Sequence, residues 1–185
     1  MDSQTLAHNK LGQKVAWISL ATNFFLFLFK FWAGEVSASV ALKADAWHTL
    51  SDSISSIIVL FGLRLAARPA DREHPFGHGR AELVASVILG VILAVIGFNF
   101  LFESIAKFQS QSSGNFGLIS MLAMGASIIV KELIARYSIT IGKKTNSNSL
   151  IADGQHHRSD ALSSLVILGG IFLGSYFWWI DSVMG

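Results

Sequence analysis

The sequence predicts an all-α protein built as a polytopic membrane helix bundle, and three observations carry that expectation. Its 185 residues are 52% hydrophobic and only 14% charged, and the mean hydropathy of +0.52 lies far above that of a soluble domain of this size. The apolar residues gather into five stretches parted by short polar segments, each long enough for the ~17 to 25 residues that a helix needs to cross hydrocarbon. The first stretch, with Phe24, Phe25, Leu26, Phe27, Leu28 and Phe29 in succession, is apolar all round, which lipid requires and water penalises. A soluble helical bundle, the alternative, would keep a polar face on each helix.

The whole chain, 1–185, reads as one transmembrane domain with spans near 15–32, 40–67, 83–102, 116–141 and 150–180. The polar residues ahead of the first span, His8 among them, form no cleavable signal, so that span stays in the protein. Placing the N-terminus in the cytoplasm puts Lys10, Lys14, Arg64, Arg68, Arg72, Arg80, Lys143 and Lys144 inside and leaves only Lys107 outside, as the positive-inside rule requires. These cations lie at helix ends without interleaved aromatics, which argues against nucleic-acid binding. There is no cysteine, so disulfides and thiolate sites are excluded and any metal must be held by nitrogen and oxygen.

The second and fifth spans share a motif. ADAWHTLSDSISS, beginning at Ala44, returns as ADGQHHRSDALSS at Ala152, an offset of 108 residues. Asp45, His48, Ser51, Asp52, Ser55 and Ser56 correspond to Asp153, His156, Ser159, Asp160, Ser163 and Ser164. On a helix His48 and Asp52 stand one above the other, with Asp45 a turn earlier on the same stripe, and His156, Asp160 and Asp153 repeat the pattern. An ionisable residue inside a span costs about 2.5 to 3.5 kcal/mol on insertion scales, so four carboxylates in two spans need compensation, which a shared divalent cation supplies. Two imidazoles and two carboxylates form a donor set that zinc accepts. Asp45 and Asp153 are assigned to the surroundings of the site or the pathway to it. The alternative is that the pairs merely hydrogen-bond as polar glue, a task usually given to Ser, Thr, Asn or Gln.

The two copies run in opposite directions, which makes this an inverted repeat. In the first unit the motif lies on the middle of three spans, so a sixth span is expected after the fifth and the chain is expected to be cut short of it. The loop ADREHPFGHGRAE holds Asp71, His74 and His78, a candidate for a second, more exposed metal site; a solvated loop with idle histidines is the alternative. Lys30, Lys43, Glu103, Lys131, Glu132 and Arg158 are expected to snorkel or to pair with other helices, away from the site.

The segments DAWHTLSD at Asp45, HPFGHGRAE at His74 and DGQHHRSDALSS at Asp153 resemble, in order and spacing, the signatures of the cation diffusion facilitator family of metal/proton antiporters. That resemblance implies a transport site formed by His48, Asp52, His156 and Asp160 and a loop site at Asp71, His74 and His78. It also implies a homodimer of six-span protomers, each followed by a cytoplasmic metal-sensing domain, in the lipid bilayer of the inner (plasma) membrane. The expected cargo is Zn2+, with Fe2+, Cd2+, Co2+ and Mn2+ carried by relatives, exported by alternating access in exchange for protons. No enzymatic activity is expected, although an integral-membrane zinc metalloenzyme and a passive cation channel stand as rival readings.

Overall fold

The computed structural model describes residues 3–66, 69, 71–111, 116–174 and 176–185. The expectations for Arg68 and for the side chains of His8, Lys10, Ser56 and Arg64 lie outside the described residues. Six helices follow one another: α1 (Ser3–Val36), α2 (Val40–Ala66), α3 (Ala81–Gln109), α4 (Leu118–Thr145), α5 (Asn148–Gly174) and the short α6 (Ile180–Met184), with no strand among the described residues. This is the all-α membrane bundle that the composition demands. From Leu11 onward α1 is long and apolar enough to span a membrane, as are α3 and α4. The 27-residue helices α2 and α5 are as long but give up part of their apolarity to the repeated motif.

The stretch expected as one helix over 150–180 divides. At the end of α5 the amides of Tyr176 and Phe177 turn back onto the Leu173 carbonyl at 2.9 and 3.0 Å, and α6 starts at Ile180. A helix over the whole stretch would overshoot the hydrocarbon, and the break carries Trp178 and Trp179, residues favoured at the interface.

The repeat extends well beyond the motif, because the hairpins α1–α2 and α4–α5 match residue for residue at the same 108-residue offset. Each turns on a left-handed residue, Ala38 (φ 49°) in one and Asn146 (φ 50°) in the other. In the first, the Ser39 amide bonds the Gly34 carbonyl at 3.0 Å and Ser39 Oγ caps the Leu42 amide at 3.2 Å. In the second, the Ser147 amide bonds the Gly142 carbonyl at 2.9 Å and Ser147 Oγ caps the Leu150 amide at 3.4 Å. Hydroxyl caps of this kind satisfy amides that a helix start leaves open. The glycines correspond too: a Cβ on Gly34 would meet the Lys43 amide nitrogen at 3.0 Å, and one on Gly142 would meet that of Ile151 at 2.9 Å.

In the bundle α1 packs on α2 and α4, α4 on α5, and α3 on α2, while α2 and α5 meet only briefly. The apolar core of Ala33, Leu42, Ala123, Met124 and Ile171 lies toward the outer end. There Asp181 of α6 ties three helices together. Its carboxylate accepts from the Val40 amide at the start of α2 (2.9 Å) and from Lys107 of α3 (2.6 Å), an anion at the positive end of a helix. The outer end is thereby closed, and the space between α2 and α5 opens at the other.

Candidate metal site

The brief meeting of α2 and α5 brings the two motifs face to face. His48 Nε2 lies 3.9 Å from Asp160 Oδ1 and 4.0 Å from Asp52 Oδ2, while His156 Nε2 lies 3.3 Å from Asp52 Oδ2 and 3.8 Å from Asp160 Oδ2. The four side chains form a ring in which imidazole and carboxylate alternate, and the crosswise pairing requires the helices to be antiparallel. Donors on a tetrahedral zinc, bonded at ~2.0 to 2.2 Å, stand about 3.3 to 3.6 Å apart, so small rotations would bring this ring to coordination distance. His48, Asp52 and Asp160 each place one donor atom within 4.8 Å of the others; His156 closes the ring through its contacts to both carboxylates.

A cavity of about 930 Å³ leads to the ring, lined by Gln13, Trp17, Asn23, Asp52, Asp153 and His156 among others. Gln13, Trp17 and the start of α5 belong to the end that the charge bias assigns to the cytoplasm, so the ring is reached from that side. Asp153 stands on the cavity wall, accepting a hydrogen bond from Ser138 at 3.1 Å. Asp45 lies on the closed, outer side, ion-paired with Lys30 at 2.7 Å.

The loop residues also come together. Asp71 sits 3.4 Å from His74 Nδ1 and 3.6 Å from His78 Nε2, with all three donors inside 4.8 Å. The amides of His74 (2.7 Å) and Glu73 (3.0 Å) both donate to Asp71 Oδ1, and Gly77 supplies the left-handed turn (φ 79°) that brings His78 back. The two donated amides, that of His74 foremost, hold the Asp71 carboxyl below the usual carboxylate range, assisted by the neighbouring histidines.

The model of the cation efflux transmembrane domain matches residues 16–185. The chain belongs to the cation efflux, or cation diffusion facilitator, family. Among the curated relatives of this cation efflux chain, an uncharacterised transporter of Methanocaldococcus jannaschii is 39% identical over 94% of this chain and 62% of its own length. The manganese efflux system protein MneP of Bacillus subtilis is 36% identical over 89% of this chain and 55% of its own. The magnetosome protein MamB of Magnetospirillum gryphiswaldense is 34% identical over 86% and 54% respectively. The chain thus spans little more than half the length of these relatives.

Spacing left the surroundings of three residues of this efflux domain unread. Lys30 and Lys131, expected to snorkel or to pair with other helices away from the site, both pair and are buried: Lys30 with Asp45, and Lys131, against the expected distance from the site, 2.7 Å from Asp160 with no exposure of its own. Neither can reach water, because each faces inward on a stripe of small and polar residues. For Lys131 the stripe is Ser120, Ser127 and Ser138 at helical spacing, and that pattern was the available signal. His157, adjacent to a ring residue, is also buried, with Nε2 3.6 Å from Asp153 and Nδ1 3.8 Å from Asp160; its four-residue spacing from Asp153 placed it on that face. Glu132 and Arg158 pair across α4 and α5 at 3.3 Å, away from the ring, and Lys43 pairs with Glu103.

Proposed function

We propose that this chain is the membrane part of a divalent metal efflux carrier that binds its cargo between His48, Asp52, His156 and Asp160. The observation that carries the reading is the alternating ring of two imidazoles and two carboxylates at the crossing of two inverted hairpins. Metal binding needs neutral imidazole and ionised carboxylate, so uptake from the cytoplasmic cavity displaces protons from the ring. Once the ring opens outward, protons reload these atoms as the metal departs, which is alternating access coupled to proton exchange. Zn2+ is the favoured cargo, since the nitrogen-and-oxygen set without thiolate suits it. Mn2+ is the competing one, because one relative is named for manganese efflux. Asp71, His74 and His78 form a second, cytoplasmic metal site in this reading, and the protein works as a homodimer in the inner membrane.

Four protein donors leave no open coordination position for an activated water, and family membership points to transport, so the metalloenzyme reading is disfavoured. A passive channel is disfavoured by the closed outer end and by tight binding at one site. In proteoliposomes, D52A and D160A should each abolish Zn2+ flux and the proton counterflow that accompanies it. Metal flux unchanged in either variant would remove that residue from the site, and flux without proton movement would remove the exchange.

A further inference from the structure

Lys131 is wholly buried in α4, with its Nζ 2.7 Å from Asp160 Oδ2. The same oxygen faces His156 Nε2 at 3.8 Å. The other oxygen, Oδ1, faces His48 Nε2 at 3.9 Å, and a metal held in the ring would bond a carboxylate oxygen at ~2.0 to 2.2 Å, so ammonium and metal contend for one carboxylate. Packing does not demand a cation at this place. The equivalent position in the first hairpin, 108 residues earlier, is Asn23, which is also buried and whose Oδ1 takes part in no hydrogen bond among the described residues. Lys30 repeats the arrangement one layer further out, on Asp45, where the second hairpin has Ser138 on Asp153. The two lysines therefore sit on the two outer carboxylates, whereas Asp52 and Asp153 line the cytoplasmic cavity.

We propose that Lys131 is a tethered competitor for the transported metal. Its ammonium holds Asp160 while the ring is empty of cargo, yields the carboxylate as the metal binds, and takes it back as the metal leaves outward. This inference rests on the four-residue site proposed above. With the ammonium beside it Asp160 stays ionised while the metal is away, an ionised carboxylate inside the bilayer needing such a counter-charge, and the protons of the exchange go to the other ring residues. The consequence is a lower affinity and an easier release than the four donors would give unopposed.

Zn2+ titration of the detergent-purified chain separates competition from mere positioning, because the two predict opposite signs. Competition predicts that K131M and K131Q bind Zn2+ about tenfold or more tightly than the wild type, on the scale of close charge pairs, and that K131M brings no gain in a D160N background. A lysine that only positions Asp160 predicts weaker binding, so unchanged or weakened binding in the folded variants overturns the proposal. H156A run alongside tells the two readings apart. If it loses affinity while K131M fails to gain, only the role of the lysine falls; if H156A binds like the wild type, the site falls and the proposal with it. Should the neutral variants lose their helical circular dichroism, the wild-type chain carries the test. Its Lys131 ammonium resonance, assigned with K131R, shifts on adding Zn2+ under competition, and an unmoved signal overturns it.

Discussion

Asp52 and Asp160 occupy equivalent places in the two motifs, yet they have different neighbours. Asp160 faces the buried Lys131, whereas Asp52 faces the cavity. Removing one partner of a buried ion pair strands the other, at a typical cost of about 3 to 5 kcal/mol. D160N is therefore expected to lower the thermal unfolding midpoint in detergent markedly, D52N to lower it much less, and both to lose Zn2+ binding. Equal unfolding midpoints for the two would contradict the pairing. The loop has its own signature. Asp71 is held ionised by the amides of His74 and Glu73, so its folded value lies below the unfolded one. The stabilisation is then fully present above the ordinary carboxylate range and is lost as pH falls through the lowered folded value. Amide exchange at His74 should stay slow through the ordinary Asp range and rise only below it; a rise already within that range would refute the turn.

Among the helices, α4 and α5 pack most extensively, and at Gly154 the α4 backbone leaves no room for a side chain. A Cβ there would meet the Ala135 carbonyl oxygen at 2.8 Å and the Ile139 amide nitrogen at 3.1 Å, both backbone atoms that cannot swing aside, whereas a Cβ on Gly125 would meet nothing within 4 Å. Overpacking of this kind costs about 1 to 3 kcal/mol. G154A should thus destabilise the chain and weaken metal binding together, since Asp153 and His156 flank it, while G125A leaves both unchanged. Thermal unfolding and Zn2+ titration of the two variants check this, and a neutral G154A would show that the helices are not in register here. The break of the fifth stretch at Gly174 belongs to the same scale. Hydropathy reads the apolar residues on both sides of it as continuous and has no means of registering the turn.

The bundle as a whole is closed at the outer end by the apolar core, the Asp181 tie and the Lys30–Asp45 pair, and open at the end that the positive charges mark as cytoplasmic. The absence of cysteine makes this directly measurable with single-cysteine variants. S55C and S149C, on the cavity wall, should react with a membrane-impermeant thiol reagent from the cytoplasmic side, and T49C and S164C, in the buried outer layer, should not. Labelling of T49C from the outside at rest would reverse the assigned direction.

The helical class and the four side chains that meet between α2 and α5 were legible in the chain, for a physical reason. Lipid forces long apolar runs, and a polar motif set within them twice, at four-residue spacing, needs a charge to compensate it. The same 108-residue offset runs through Ala38 and Asn146, Gly34 and Gly142, and Asn23 and Lys131, and it was equally present in the chain, but its meaning depended on contacts. Whether a buried lysine snorkels or faces a carboxylate turns on which helix lies beside it, and periodicity along one helix carries no information about its neighbour. The spacing of His48, Asp52, His156 and Asp160 therefore picked out the side chains that converge. The packing of α1 and α4 against α2 and α5 determined which carboxylates meet a lysine and which meet the cavity.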